Sequence, residues 1–148
     1  MRFSLKRTLL LACMLPLVLG AAGCETTDEH IAALKVKAEK GDADAMVEIA
    51  ETYYGAKMIQ QSDAEGAKWM KMAAERGNAK AQYTIGIAFS RGLGVPLDIV
   101  EAHKWEYLAA CNGYSPAKES IRDFESKMSS KELQQAKNLE KELPNCSG

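Results

Sequence analysis

The chain has 148 residues, of which 47% are hydrophobic and 26% are charged, and this is enough apolar material for one domain with a packed core. The formal net charge is -1, from 19 basic and 20 acidic residues. Lys and Arg form no cluster of the kind that neutralises phosphates in proteins that bind nucleic acid. The composition therefore excludes a disordered chain and argues against nucleic acid as a partner.

The first 23 residues have the three-part order of a secretory signal peptide. A basic start is followed by an apolar stretch over residues 9–19, which is too short to span a bilayer, and by four small residues before Cys24. The sequence Ala-Ala-Gly-Cys resembles the bacterial lipobox, in which the cysteine thiol accepts a diacylglyceryl group. We therefore predict that residues 1–23 are removed and that Cys24 is lipidated, with residues 24–30 forming the lipid anchor and a short linker. Cleavage without lipidation, which would leave a soluble periplasmic protein, is the alternative.

The predicted processing bears on charge and location. It removes three basic residues, so that the mature chain carries four more acidic than basic residues. Two or three acyl chains, palmitate among them, would hold the domain at the membrane almost irreversibly. Glu25 stands where the resemblance to enterobacterial lipoproteins makes Asp the usual inner-membrane retention signal. We expect a cell-envelope protein, anchored in the outer membrane and facing the periplasm.

The mature chain repeats itself at an interval of about 36 residues. The residues Ala38, Gly41, Ala45, Ile49, Lys68, Trp69 and Ala73 recur as Ala74, Gly77, Ala81, Ile85, Lys104, Trp105 and Ala109, and a third copy begins with Ala110, Gly113, Ala117 and Ile121. The predicted units are an N-terminal capping helix (31–41), repeat 1 (42–77), repeat 2 (78–113), a partial third repeat with a C-terminal capping helix (114–143) and a tail (144–148).

Each repeat is predicted to contain two helices. Asp42 and Asn78 are suited to cap the first helices, whose buried faces follow helical spacing. These faces consist of Ala45, Ile49 and Tyr53 in repeat 1, and of Ala81, Ile85 and Phe89 in repeat 2. Ser62 and Asp98, each followed three residues later by Glu, begin the second helices. Glycines that enter the left-handed conformation end the second helices at Gly41, Gly77 and Gly113. The pattern predicts an all-α fold.

Both ends of the array carry signs of capping helices. Thr26 with Glu29 is predicted to form a capping box before the first helix, and Ser129 with Glu132 before the last one. Terminal helices with a polar outer face shield the open ends of a solenoid.

The second repeat resembles the Sel-one-like repeat family, which is related to the tetratricopeptide repeats. The resemblance rests on Ala81, Ile85, Gly86, Phe89, Gly92, Gly94, Val95, Asp98, Ala102, Lys104, Trp105, Ala109, Ala110 and Gly113. The first repeat departs from the pattern at Ala56, Met58 and Gly66. The resemblance implies a right-handed superhelical solenoid of antiparallel two-helix repeats that serves as a protein-binding scaffold in periplasmic, envelope and secreted settings.

Two features could carry chemistry, and each has a structural interpretation that we prefer. Ser115 and Lys118 match the Ser-x-x-Lys pattern of penicillin-recognising enzymes, but no Ser-Asp-Asn or Lys-Thr-Gly partner is present, and Ser115 before Pro116 is typical of a helix start. His30 and His103 have no second nitrogen or thiolate at ligand spacing, so we expect no zinc site and an exposed or packing role for His103. We predict no cofactor.

Cys111 and Cys146 are the remaining thiols once Cys24 is acylated. In an oxidising compartment an even pair favours a disulfide, which would close a loop of about 35 residues and contribute roughly 2 to 4 kcal/mol. Two unpaired thiols are the alternative.

The leading functional hypothesis is a non-catalytic protein-protein interaction scaffold. Trp69 and Trp105 recur in register with the core positions, which favours packing between helices over ligand stacking. The first helices offer flanking surface positions for a partner protein or peptide, namely Asp44, Glu48, Glu51, Lys80, Thr84 and Ile87. The alternatives are a weak β-lactam or peptidoglycan hydrolase and a structural lipoprotein that binds peptidoglycan.

Overall fold

A computed structural model describes residues 27–55 and 62–143, and these residues form seven α-helices and no strand. In chain order the helices are α1 (Thr27–Glu39), α2 (Ala43–Gly55), α3 (Asp63–Glu75), α4 (Ala79–Arg91), α5 (Ile99–Cys111), α6 (Pro116–Lys127) and α7 (Ser130–Glu142). The predicted all-α repeat fold is confirmed. No helix within these two ranges is long and apolar enough to cross a membrane.

The helices recur at the same interval as the repeated residues of the sequence. The first helices of the two repeats are α2 and α4, and the second helices are α3 and α5, with equivalent bounds about 36 residues apart. The helix pairs α2–α3 and α4–α5 pack closely, α3 packs against α4, and α1 covers α2. At the other end, α5 contacts both α6 and α7. The result is a short solenoid with one additional helix at the N-terminal end and two at the C-terminal end.

Side-chain caps begin the helices where the sequence predicts them. The carboxylate of Asp42 accepts hydrogen bonds from the backbone N–H groups of Asp44 and Ala45, and the amide oxygen of Asn78 accepts one from Ala81 at 2.9 Å. The Ser62 hydroxyl and the Asp98 carboxylate cap α3 and α5 in the same way. Ser129 and Glu132 form a complete capping box. Thr26 lies outside the described residues, so its capping box stays a prediction.

One predicted cap is wrong. Ser115 precedes α6 and Pro116 occupies its first turn, as expected, but the Ser115 side chain makes no capping hydrogen bond. The reason lies in the backbone, since Ser115 already has helical dihedral angles and the N–H of Ala117 bonds to the carbonyl of Tyr114. A cap residue needs an extended backbone to turn its side chain onto the first N–H groups of the helix.

Four glycines show why the turns need this residue. Gly41, Gly77 and Gly113 follow α1, α3 and α5 with φ of 93°, 83° and 85°, a left-handed region that other residues enter at a cost. Gly94 has φ of 70°, and a Cβ at this position would lie 1.9 Å from the carbonyl oxygen of Asp63. The loop between α4 and α5 therefore touches the start of α3 backbone to backbone, which holds the two repeats together.

Small and branched apolar side chains build a continuous core along the array. Ala45, Ile49, Ala81 and Ile85 are all buried, and Trp105 is only 6% exposed. Trp69 and Phe89 are partly buried and pack against this core. The recurring residues thus lie between the helices, and their alanines let neighbouring helices approach closely.

Candidate functional site

The six residues predicted to bind a partner lie on the first helices of the two repeats. On α2, Asp44, Glu48 and Glu51 are exposed. On α4, Lys80 is exposed, whereas Thr84 and Ile87 are partly buried. The structure therefore brings these residues onto two helices that occupy equivalent places in consecutive repeats, and the surface that they form is called the first-helix surface below.

The charged residues of the first-helix surface contact one another and their neighbours. Glu51 accepts a hydrogen bond from the Lys80 ammonium at 2.5 Å, and Asp44 accepts one from the Asn78 side chain at 2.8 Å. Glu48 lies 2.8 Å from the Nε2 atom of His30 on α1. Exposed pairs of this kind contribute about 0 to 1 kcal/mol each. A ligand that offers better partners can therefore displace them at little cost.

Two grooves open beside these residues, and Ile87 lines both of them. The first has a volume of about 360 Å³ and lies between the ends of α2 and α4. Its lining consists of Tyr54, Asp63, Thr84, Ile87, Ala88 and Leu93. The second groove, between α4 and α6, includes Arg91, Asp123, Phe124 and Lys127. The first-helix surface thus combines an apolar centre with charged edges, which suits a peptide or a partner helix.

A second polar cluster, which none of the sequence motifs predicts, lies on α5, the other helix of repeat 2. His103 and Glu106 of α5 are both 0% exposed. The positions one repeat earlier are Ala67 and Met70, which are buried and apolar. This difference between equivalent buried positions is the signal in the sequence that could have found the cluster.

His103 has carboxylates from two later helices beside it. Its Nε2 atom lies 3.5 Å from the Oε1 atom of Glu125 on α6 and 3.5 Å from the Oε1 atom of Glu140 on α7. Neither ring nitrogen has a hydrogen-bond partner among the described residues. The three side chains form a group that could hold a metal ion. The sequence context of His103 is compatible with an exposed or a packing role, and in the structure the residue is buried.

Glu106 is a buried carboxyl group. Burial raises its pKa from 4.5 to about 7, and a hydrogen bond with the Ser120 side chain offsets part of this rise. A Cβ on Gly86 of α4 would lie 2.6 Å from the Cγ atom of Glu106, so the glycine makes room for this side chain. The position equivalent to Gly86 in repeat 1 is the buried Ala50.

The other residues singled out from the sequence are not brought together into a site. Ser115 and Lys118 are both exposed, and the backbone N–H of Lys118 donates to the carbonyl of Ser115. Cys111 ends α5. Cys24 and Cys146 lie outside the described residues, so the lipidation and the disulfide stay predictions.

Comparison with known proteins finds repeats of one family in this chain. The profile of the Sel1 repeat matches residues 43–78 and 79–114, each one residue after the predicted repeats. A protective antigen present in uropathogenic Escherichia coli strains, which displays an SLR fold, is similar with a TM-score of 0.70 and 30% identity, over 77% of this chain and 25% of that chain. A Sel1 repeat protein from Oxalobacter formigenes is similar with a TM-score of 0.59 and 30% identity, over 63% of this chain and 39% of that chain.

The two similar structures are much longer than this chain, which spans 25% of the length of one and 39% of the other. No curated protein matches the sequence.

Proposed function

This chain is a Sel1 repeat protein, and on that premise we propose that it is a non-catalytic scaffold which binds a partner protein or peptide on its first-helix surface. Sel1 repeats generally mediate protein-protein binding. The observation that carries the proposal is the position of Ile87, which lines the grooves on both sides of α4. A ligand seated across this residue would touch two consecutive repeats and the start of the third.

The lining predicts the chemistry of the partner. Ile87 and Leu93 offer an apolar centre, and Asp63 places a carboxylate in the same groove. Asp44 and Glu48 add two exposed carboxylates nearer the start of α2. A helix or extended segment with one apolar anchor and basic residues beside it matches this arrangement. In a superhelical array, such a segment meets several repeats at once, so that small contributions add up.

Charge reversal tests where the partner binds. We expect that the double variant Asp44→Lys, Glu48→Lys reduces capture of the partner at least about tenfold while the melting temperature changes little, because exposed substitutions shift stability by no more than about 0.5 kcal/mol. The partner would first be identified by crosslinking in the native membrane and mass spectrometry. Capture of that partner by purified variants is then measured.

The matched control changes the net charge by the same amount elsewhere. Glu39 on α1 and Glu75 on α3 are exposed residues outside the first helices, and Glu39→Lys with Glu75→Lys should leave capture intact. Equal loss of capture in both double variants would show that overall charge, rather than the first-helix surface, governs binding.

We propose further that the scaffold is held at the cell envelope by acyl chains on Cys24, with the outer membrane favoured. The residues that support this are the signal-peptide pattern and the lipobox-like Ala-Ala-Gly-Cys. The variant Cys24→Ser should accumulate as a larger precursor, because cleavage depends on the lipidated thiol. Detergent partitioning of the wild-type chain into the aqueous phase, together with normal cleavage of the variant, would contradict the anchor.

A further inference from the structure

We propose that His103, Glu125 and Glu140 form a binding site for a divalent transition-metal ion, with Zn²⁺ the ion whose ligand preferences they fit best. The site lies at the junction of α5, α6 and α7, at the end of the array, and is separate from the residues that the scaffold function uses. Imidazole nitrogen and carboxylate oxygen are both ligands of Zn²⁺, which in open sites binds three protein ligands and leaves a fourth position for water.

The distances fit an ion better than direct hydrogen bonds. The Nε2 atom of His103 lies 3.5 Å from one oxygen of each glutamate, and the three ligand atoms all lie within 4.8 Å of one another. Tetrahedral ligands at Zn²⁺ bond lengths of about 2.0 to 2.2 Å stand about 3.4 Å apart. A charge-assisted N–H···O bond is shorter, at about 2.7 to 2.9 Å. The two distances from His103 Nε2 to the glutamate oxygens therefore match the distance between ligand atoms in a tetrahedral zinc site.

The burial of His103 points to a ligand. The side chain is 0% exposed, and both ring nitrogens lack hydrogen-bond partners among the residues that the structure describes. A buried polar group left in this state costs about 1 to 3 kcal/mol. The equivalent position in repeat 1 is Ala67, so packing at this place in the repeat does not require an imidazole. An ion on Nε2 gives the ring a partner and explains why it faces two carboxylates.

The charge of the three side chains and their access to solvent also suit a divalent metal ion. Two carboxylates and a neutral imidazole carry two negative charges, which a divalent ion neutralises. Lys137 approaches Glu125 at 4.0 Å but is itself 52% exposed, so it compensates the pair weakly. The side chains of Glu125 and Glu140 are 32% and 26% exposed, and this leaves the ion a path from solvent and room for a bound water.

A metal ion at this site would join the C-terminal helices to repeat 2. Each of the three ligands comes from a different helix, and α5 packs against both of the others. Because the unfolded chain does not hold these side chains together, binding stabilises the folded state by mass action. The ion would therefore stabilise the packing of α6 and α7 on α5.

The test measures Zn²⁺ binding to the full chain, purified without an affinity tag and treated with chelator. We expect calorimetry with zinc chloride to show one equivalent bound and the melting temperature to rise. Glu125→Gln and Glu140→Gln keep the shape of the side chains and should each weaken binding at least about tenfold, since changes even in outer-shell partners of metal ligands cost about 10- to 100-fold. Both glutamates are partly exposed, so these variants keep the fold.

Two control variants sharpen the result. Glu142→Gln alters an exposed carboxylate on α7, two residues after Glu140, and should bind Zn²⁺ as tightly as the wild type. Lys137→Met removes the competing cation and should bind at least as tightly. The assignment is overturned if the wild type takes up no Zn²⁺, or if Glu125→Gln and Glu140→Gln bind it as tightly as Glu142→Gln does.

Discussion

Position 106 shows how one residue sets the response of this repeat protein to pH. Met70 is the equivalent residue in repeat 1, and both side chains are fully buried. A methionine needs no partner there, whereas a carboxylate loses its hydration. Burial therefore raises the pKa of Glu106 to about 7.

The raised pKa predicts stability that decreases with increasing pH. The folded state binds the Glu106 proton more tightly than the unfolded state, whose glutamates titrate near 4.5. The free energy of unfolding therefore falls between about pH 4.5 and 7 and levels off above that range, with a total contribution of about 3 kcal/mol. Glu106→Gln cannot ionise, so denaturant unfolding should find it more stable than the wild type at pH 8 and nearly equal to it at pH 4.

The control for this prediction is Glu119→Gln, which changes an exposed glutamate on α6. It should shift the free energy of unfolding by no more than about 0.5 kcal/mol at either pH. A Glu106→Gln variant whose stability runs parallel to that of the wild type at every pH would show that Glu106 stays ionised in the folded protein.

Gly86 is needed because neighbouring atoms leave no space for a side chain at this position. An added Cβ would lie 2.6 Å from Glu106 Cγ and 3.1 Å from the carbonyl oxygen of Ala102. We expect Gly86→Ala to lower the free energy of unfolding by about 1 to 3 kcal/mol, because the backbone oxygen has no freedom to move aside. Gly55→Ala at the end of α2 meets no atom within 4 Å and should be neutral or stabilising by up to about 1 kcal/mol. Thermal unfolding measures the stability of the two variants relative to the wild type.

At the scale of the helix, the sequence predicted the starts well because capping is local chemistry. Asp42, Ser62, Asn78 and Asp98 all cap as expected, since each needs only N–H groups two or three residues later in the chain. Ser115 has the same residue type at a helix start but a different backbone, and the residue type alone does not specify dihedral angles.

This difference between Asp98 and Ser115 gives a paired prediction. Asp98→Ala removes hydrogen bonds at 3.0 Å to the N–H groups of Val100 and Glu101 and should cost about 1 kcal/mol. Ser115→Ala removes no cap and should cost less than about 0.5 kcal/mol. The midpoints of denaturant unfolding measure the loss of stability in both variants. A cost for Ser115→Ala equal to that of Asp98→Ala would mean that the serine does cap α6 in solution.

At the scale of the whole molecule, the repeat architecture could be predicted and the polar cluster on α5 could not. The repeat interval, the helix pairs and the capping helices follow from residues close in sequence. His103 acquires its neighbours from α6 and α7, and their approach depends on how the partial third repeat folds back onto α5. The grooves beside Ile87 likewise arise from the spacing of whole helices, which periodicity does not determine.

The order of contacts along the array has a consequence for local opening. Successive helices pack mainly on their neighbours, with α1 held by α2, while α5 is covered by α4, α6 and α7. Proteins built this way exchange backbone amide hydrogens in cooperative segments whose protection reflects how many neighbours each segment has. Amides of α1, α6 and α7, each packed mainly on one other helix, should therefore exchange with deuterium faster than those of α5, so that the array loosens from both ends while α5 stays closed.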